Sequence, residues 1–119
     1  MKEQLIPFAD QLPVEQHTRF MRKLAEQLAK DLHPMFDKEI PENPAPDWIL
    51  SQLYSSVERL IVERGNSLGA VMYRIDLPEK KINALMAGTH PDERIRVLSN
   101  EILEREAKKV WMRLHYASK

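Results

Sequence analysis

Cysteine is absent from this chain of 119 residues, and glycine occurs three times. The first absence removes disulfides, thiolate-bound zinc, iron–sulfur clusters and thiol catalysis. It leaves four histidines and the carboxylates as the side chains able to hold a transition metal. The scarcity of glycine argues against a turn-rich all-β fold. No apolar run is long enough for a signal peptide or for a bilayer span, so the expectation is a soluble, cytoplasmic protein with no membrane partner. Neither sign of charge dominates, with 18 basic and 18 acidic residues, which makes nucleic acid an unexpected partner. The distribution is uneven: residues 1–60 hold 7 Lys/Arg against 10 Asp/Glu, and residues 61–119 hold 11 against 8. That asymmetry suits head-to-tail association or an acidic partner.

Catalytic signatures are missing as well. No glutamate has a histidine three residues after it, which excludes the paired-metal arrangement of ferritin-like bundles. No histidine follows an arginine at the spacing that helical ribonucleases of the HEPN type require. Glycine-rich phosphate loops, nucleophile elbows and His-Glu-x-x-His are likewise absent. No cofactor and no catalytic residue is expected; a site built from carboxylates such as Glu58 or Glu63 is the one enzymatic arrangement left open.

What is present is helical punctuation. Asp76-Leu77-Pro78-Glu79 and Thr89-His90-Pro91-Asp92 share one pattern. A hydrogen-bonding side chain opens each, proline falls in the first turn, and an acid stands three residues after the proposed cap. Before them, Pro13 opens a helix whose apolar residues (Val14, Phe20, Met21, Leu24, Ala25, Leu28, Ala29, Leu32) repeat at helical spacing until His33-Pro34. Residues 34–46 carry four prolines and read as an extended connection pinned by Met35, Phe36 and Ile40. Asp47 caps a helix from Trp48 to Arg64, with Trp48, Ile49, Leu53, Val57, Leu60 and Ile61 on one face and Gly65-Asn66 as its stop. Ser67 then caps a short helix to Ile75. Residues 71–77 also alternate like a strand, but no second strand exists to pair with them, so helix is the better reading. A helix from Pro78 to Ala87 stops at Gly88, and a last helix runs from Pro91 to Tyr116 with acid–base pairs Asp92/Arg96, Glu101/Arg105 and Glu104/Lys108. The fold expected is all-α: one domain over residues 1–119, an irregular bundle of about five helices.

The last helix changes sides. Ile95, Leu98 and Ile102 share one face, whereas Leu103, Ala107, Val110 and Leu114 lie about a quarter turn away. Arg105, Glu106, Lys109 and Arg113 occupy the positions that would continue the first stripe. The two halves therefore pack on different things, either two helices of the same chain or, for Val110, Trp111 and Leu114, a second copy. A homodimer through those three residues is the expected interaction, and six methionines add an adaptable surface.

Among the histidines, His17 falls in register with the apolar stripe and is read as a boundary imidazole with one hydrogen bond. His90, Asp92 and Glu93 crowd one helix start, where the acids serve the dipole; no metal site is assigned. The order helix, tight turn, helix, glycine stop, helix across residues 67–103 resembles the helix-turn-helix of repressor-like DNA-binding domains. That resemblance implies Lys80, Lys81 and Asn83 facing DNA, with Arg94 or Arg96 holding phosphates. Glu79, Asp92 and Glu93, interleaved with these bases, repel phosphate. The function expected is a non-enzymatic protein–protein interaction or assembly module, with DNA binding as the alternative.

Overall fold

The computed structural model describes residues 6–36, 39–63 and 66–117, without the side chains of residues 63, 66–68 and 117. Among these residues the chain is all-α: α1 (His17–Asp31), α2 (Pro46–Glu63), α3 (Asn66–Ile75), α4 (Glu79–Ala87) and α5 (Arg94–Ala117), with 3-10 turns at Ala9–Gln11, Val14–Gln16 and Pro91–Glu93 and no strand. The alternation at 71–77 resolves as helix. Val71, Met72 and Ile75 are buried while Tyr73 and Arg74 face outward, a helical spacing of burial.

α5 is the axis of the bundle and packs most extensively on α1 and α2, with α3 and α4 against its sides. One hydrophobic cluster runs through all five helices and takes in Ile6 from the N-terminal arm and Met35 and Phe36 from the connection. Phe20, Leu24, Leu28, Leu32, Ile49, Leu53, Leu60, Ile75, Leu98, Ile102 and Leu103 are its fully enclosed bulky members. Truncating any of these leucines to alanine removes about 2–5 kcal/mol. No helix among the described residues is long and apolar enough to cross a membrane.

α1 begins at His17 rather than near Pro13. Val14 lies in the preceding turn, 80% exposed, and is not part of the core face. At the other end of α1, Arg74 donates through Nε to Asp31 O (3.1 Å) and through Nη2 to His33 O (2.7 Å), satisfying carbonyls that the helix leaves open. The proline-rich connection is tied down on both sides. Arg22 Nη1 donates to Pro41 O and Glu42 O at 3.3 and 2.9 Å, Ser56 Oγ donates to Met35 O at 3.1 Å, and Phe36 meets Trp48 edge-on with centroids 5.9 Å apart.

The punctuation works differently from its expected grammar. α2 begins at Pro46, with Asp47 inside its first turn. Gly65 lies outside the described residues, and Asn66 already opens α3, so Ser67 is not a cap. Asp76 does not cap α4: it ends α3. At φ 66° it holds the left-handed conformation, its N–H donates to Tyr73 O (3.1 Å), and Leu77 N–H donates to Met72 O (2.9 Å). This is the Schellman arrangement, with buried Leu77 and Met72 as its hydrophobic pair. α4 then starts at Glu79 behind Pro78 with no side-chain cap. At the second phrase Thr89 Oγ1 donates backward to Leu85 O (2.6 Å), and His90 Nδ1 is the acceptor for Asp92 N–H (3.2 Å). Proline falls in the first turn only at the second phrase, at Pro91, whereas Pro78 stands just before α4; the residue expected as each cap is engaged with the preceding helix, Asp76 through its backbone and Thr89 through its hydroxyl.

Candidate functional site

The positions that break the apolar stripe of α5 do not form a simple solvated face. Glu106 is 0% exposed, and with Lys109 and Arg113 it forms a polar seam against α1. Lys109 Nζ stands at the centre, 3.1 Å from Asp31 Oδ2, 3.0 Å from Glu106 Oε2 and 3.0 Å from Arg74 O. Gln27 Nε2 donates to Asp31 Oδ2 (2.8 Å), and Arg113 Nη1 donates to Gln27 Oε1 (2.5 Å). Gln27 and Asp31 are four apart on α1, and Glu106, Lys109 and Arg113 follow at steps of three and four on α5, so both sets face across one helix pair.

Two carboxyls here share one ammonium. Burial pushes the Asp31 carboxyl up, but the neighbouring Glu106 carboxyl, the hydrogen bonds from Gln27 and Lys109 and the Lys109 charge win and hold it below the usual value. Glu106 goes the other way. Burial, then contact with Asp31, raise it from the ordinary 4.5 to about 8, against the opposing pull of Lys109. Neither Glu106 oxygen has a hydrogen bond of good geometry, so its pairing with Lys109 is a charge contact at 3.0 Å rather than an aligned bond. Burial alone depresses the Lys109 ammonium, yet the two carboxyls overcome that and raise it. At neutral pH the seam is Asp31 ionised, Glu106 protonated and Lys109 charged. Asp31 and Glu106 side chains are 6% and 0% exposed, out of reach of a substrate.

Beside the seam, on its solvent side, lies a groove of about 330 Å³ between α1 and α5. Arg19, Lys23, Glu26, Gln27 and Lys30 form the α1 wall, and Val110, Arg113 and Leu114 form the α5 side. Glu26 is engaged by Arg22 Nε (3.5 Å) and Lys23 Nζ (3.6 Å). Arg19 and Lys30 are exposed and have no ion-pair or hydrogen-bond partner among the described residues. A second concavity of about 400 Å³ lies where the end of α3 meets α4 and α5, with a mixed lining that includes Asp76, Glu101, Glu104, Lys81, Arg105 and Lys108.

The three residues expected to meet a second copy divide. Val110 and Leu114 are buried within their own chain, and both line the groove floor. Trp111 is half-buried, tilted against Phe8 (centroids 5.7 Å) and stacked on His115 (4.9 Å). Both apolar stripes of α5 are thus covered by elements of the same chain. Of the residues that the helix-turn-helix resemblance assigns to DNA, Lys80 and Asn83 are exposed on α4. Lys81 is exposed but pairs with Glu101 (3.7 Å), Arg96 pairs with Glu93, and Arg94 is half-buried with an enclosed, unpartnered Nε. The expected pairs Asp92/Arg96, Glu101/Arg105 and Glu104/Lys108 do not form: Arg96 takes Glu93 three residues before it, while Arg105 reaches Asp76 (3.7 Å) and Glu101 takes Lys81, both from other elements.

His17 Nε2 donates to Leu12 O at 2.9 Å, the single hydrogen bond expected of it. His90 sits 3.6 Å from the Asp92 carboxylate, both exposed. No group of three or more His, Asp or Glu able to hold a metal occurs among the described residues. Glu58 is exposed, and the Glu63 side chain is outside the described residues. Sequence reasoning missed Gln27, Asp31, Glu106 and Lys109. Their signal was available: polar residues at apolar-stripe positions on two helices, complementary in charge. Compared with known proteins, the chain matches no family model, no curated protein and no solved structure.

Proposed function

We propose that this chain is a non-enzymatic protein–protein interaction or assembly module whose contact surface is the groove between α1 and α5. The observation that carries the reading is the groove itself: a recess rimmed by Arg19, Lys23, Lys30 and Arg113 in a chain of zero net charge. Two of these cations, Arg19 and Lys30, have no partner among the described residues, and a charge left so serves association, since a partner supplies what the fold withholds. The groups with shifted proton affinity lie in the closed seam, which supports a structural use for them. The test is affinity capture from native lysate with the natural chain and with the double variant Arg19→Glu/Lys30→Glu. A partner held by the first and lost by the second is expected. Identical capture by both, or none by either, overturns the reading.

A homodimer in the cytoplasm belongs to the same proposal. With Val110 and Leu114 covered, Trp111, Met112 and Tyr116 at the end of α5 are what remains to offer a second copy. Light scattering that reports a strict monomer at high concentration removes it. A second reading, duplex DNA, draws support from the helix pair α3–α4 and the exposed Lys80, Lys81 and Asn83. A gel shift on random duplex at low salt decides it, and no retardation at micromolar protein ends it.

A further inference from the structure

We infer that the α1/α5 groove takes an acidic protein segment interrupted by apolar residues, laid along α1 from Arg19 to Lys30. This rests on the interaction reading above and specifies the occupant. Arg19, Lys23, Gln27 and Lys30 stand at steps of four, four and three, a single stripe along α1. From first to last the stripe spans about 16 Å at 1.5 Å per residue, matching about eleven residues of helix or about five of extended chain.

Charge fixes the sign of the occupant. Arg19 and Lys30, at the two ends, have no partner among the described residues. Arg113 is held by Gln27, which fixes the guanidinium at the opposite wall. The one acid of the lining, Glu26, is already engaged by Arg22 and Lys23. The floor fixes the rest of the chemistry. Val110 and Leu114, 2% and 6% exposed, close its floor, and the methylene stems of Arg19, Lys23 and Lys30 flank them, a lining that suits aliphatic side chains between carboxylates. A phosphodiester backbone offers evenly spaced charge and nothing for that lining, and Glu26 in mid-wall opposes it. Exposed complementary charges steer the encounter, and desolvated apolar contacts hold the complex.

The experiment uses the whole chain and a fluorescein-labelled peptide of about eleven residues of glutamate and leucine, the length that one α1 stripe spans, read by anisotropy. The comparison peptide replaces every glutamate by glutamine. The expected result is saturable binding of the acidic peptide, weakened by salt and reduced about tenfold in Arg19→Glu/Lys30→Glu. Lys80→Glu/Lys81→Glu, the same charge change away from the groove, leaves the affinity within about twofold. Circular dichroism and the melting temperature confirm that both variants are folded. No binding, equal binding of the glutamine peptide, or equal loss in both double variants overturns the inference. So does a random DNA duplex that displaces the acidic peptide at lower concentration than the unlabelled peptide does. If the peptide fails while capture from lysate still requires Arg19 and Lys30, the occupant is wrong and the module reading stands. If that capture is also indifferent to the variant, both fall.

Discussion

Two sets of charges lie side by side between α1 and α5, and they obey different physics. In the seam, the Asp31 and Glu106 carboxyls are enclosed, and half-buried Lys109 reaches each at about 3 Å. In the groove, Arg19, Lys23, Glu26 and Lys30 use the same chemical groups in water, at distances of 3.5 Å or more where they pair at all. Water screens the second set almost completely, whereas the first must satisfy itself because nothing else can. The seam therefore fixes which residues of α5 face α1, and the groove leaves its charges available. Burial, not residue type, separates a structural charge from a binding one.

The largest test of that contrast is Asp31→Ala. Removing one member of an enclosed charge set leaves Lys109 and the Gln27 amide without their partner, a loss of about 3–5 kcal/mol for a buried pair. The lower end of that range is expected, because Glu106 ionises and takes over part of the pairing. Urea unfolding measures it. A loss under about 1 kcal/mol, the range of exposed pairs, erases the distinction between seam and groove.

Next comes the pH dependence of stability, where Glu106 sets the sign. Its folded value of about 8 stands above the ordinary 4.5, so the folded state holds the proton more tightly than the unfolded one. The contribution is complete below pH 4.5 and is lost as pH rises through about 8, with a slope of at most about 1.4 kcal/mol per pH unit. Asp31, held below its usual 3.8, acts at the acid end: its contribution is present above that value and lost as pH falls further. Lys109, raised from 10.5, contributes below that value and loses its contribution above it. Glu106→Gln keeps the shape and an N–H donor toward Asp31 while deleting the titration. The variant is expected to show a flat profile between pH 5 and 8 and to exceed the natural chain in stability near pH 8. An unchanged slope in the variant assigns the pH dependence elsewhere.

How far all this could be read from the chain follows the same division. Apolar periodicity gave five helices and most of their buried faces, because burying a stripe of Leu, Ile and Val is a property of each segment alone. Val14 failed because a stripe's first member has no turn before it to hold it down, and α1 starts only at His17. Asp76 and Thr89 failed because each can serve the helix behind it or the helix ahead, and only the assembled chain decides. The seam was written in the sequence as Gln27 and Asp31 on one helix and Glu106, Lys109 and Arg113 on another. Each half by itself reads as a solvated face. Their meaning is a long-range pairing, 78 residues apart for Asp31 and Lys109. The groove was legible only as its ingredients, the bases Arg19, Lys23 and Lys30 at helical spacing and Val110 and Leu114 on a turned face.

Asp76 sharpens the comparison from the exposed side. Its carboxylate is 89% exposed and 3.7 Å from Arg105, a pair worth little in water. Its backbone, at φ 66°, holds a conformation that a side chain disfavours by about 1 kcal/mol and that glycine adopts freely. Asp76→Gly deletes a charge and is nonetheless expected to stabilise by about 0.5–1 kcal/mol, the gain trimmed by glycine's greater freedom when unfolded. A net loss in thermal unfolding gives the Arg105 pair a weight that exposed pairs lack, which blurs the line between the two charge sets.

The smallest expected effect is the most exacting for the functional reading. Arg19→Glu/Lys30→Glu reverses two charges that no neighbour among the described residues uses. Folding is therefore expected to change by no more than about 0.5 kcal/mol, the scatter of surface substitutions. Glu26 lies between them along α1, so reversal adds some like-charge repulsion, which salt suppresses. A residue whose removal is silent in folding but decisive in association is free energy held in reserve for a partner. If the double variant instead loses several kcal/mol that salt does not restore, Arg19 and Lys30 are stabilising the bundle itself, and the groove has nothing left over to bind with.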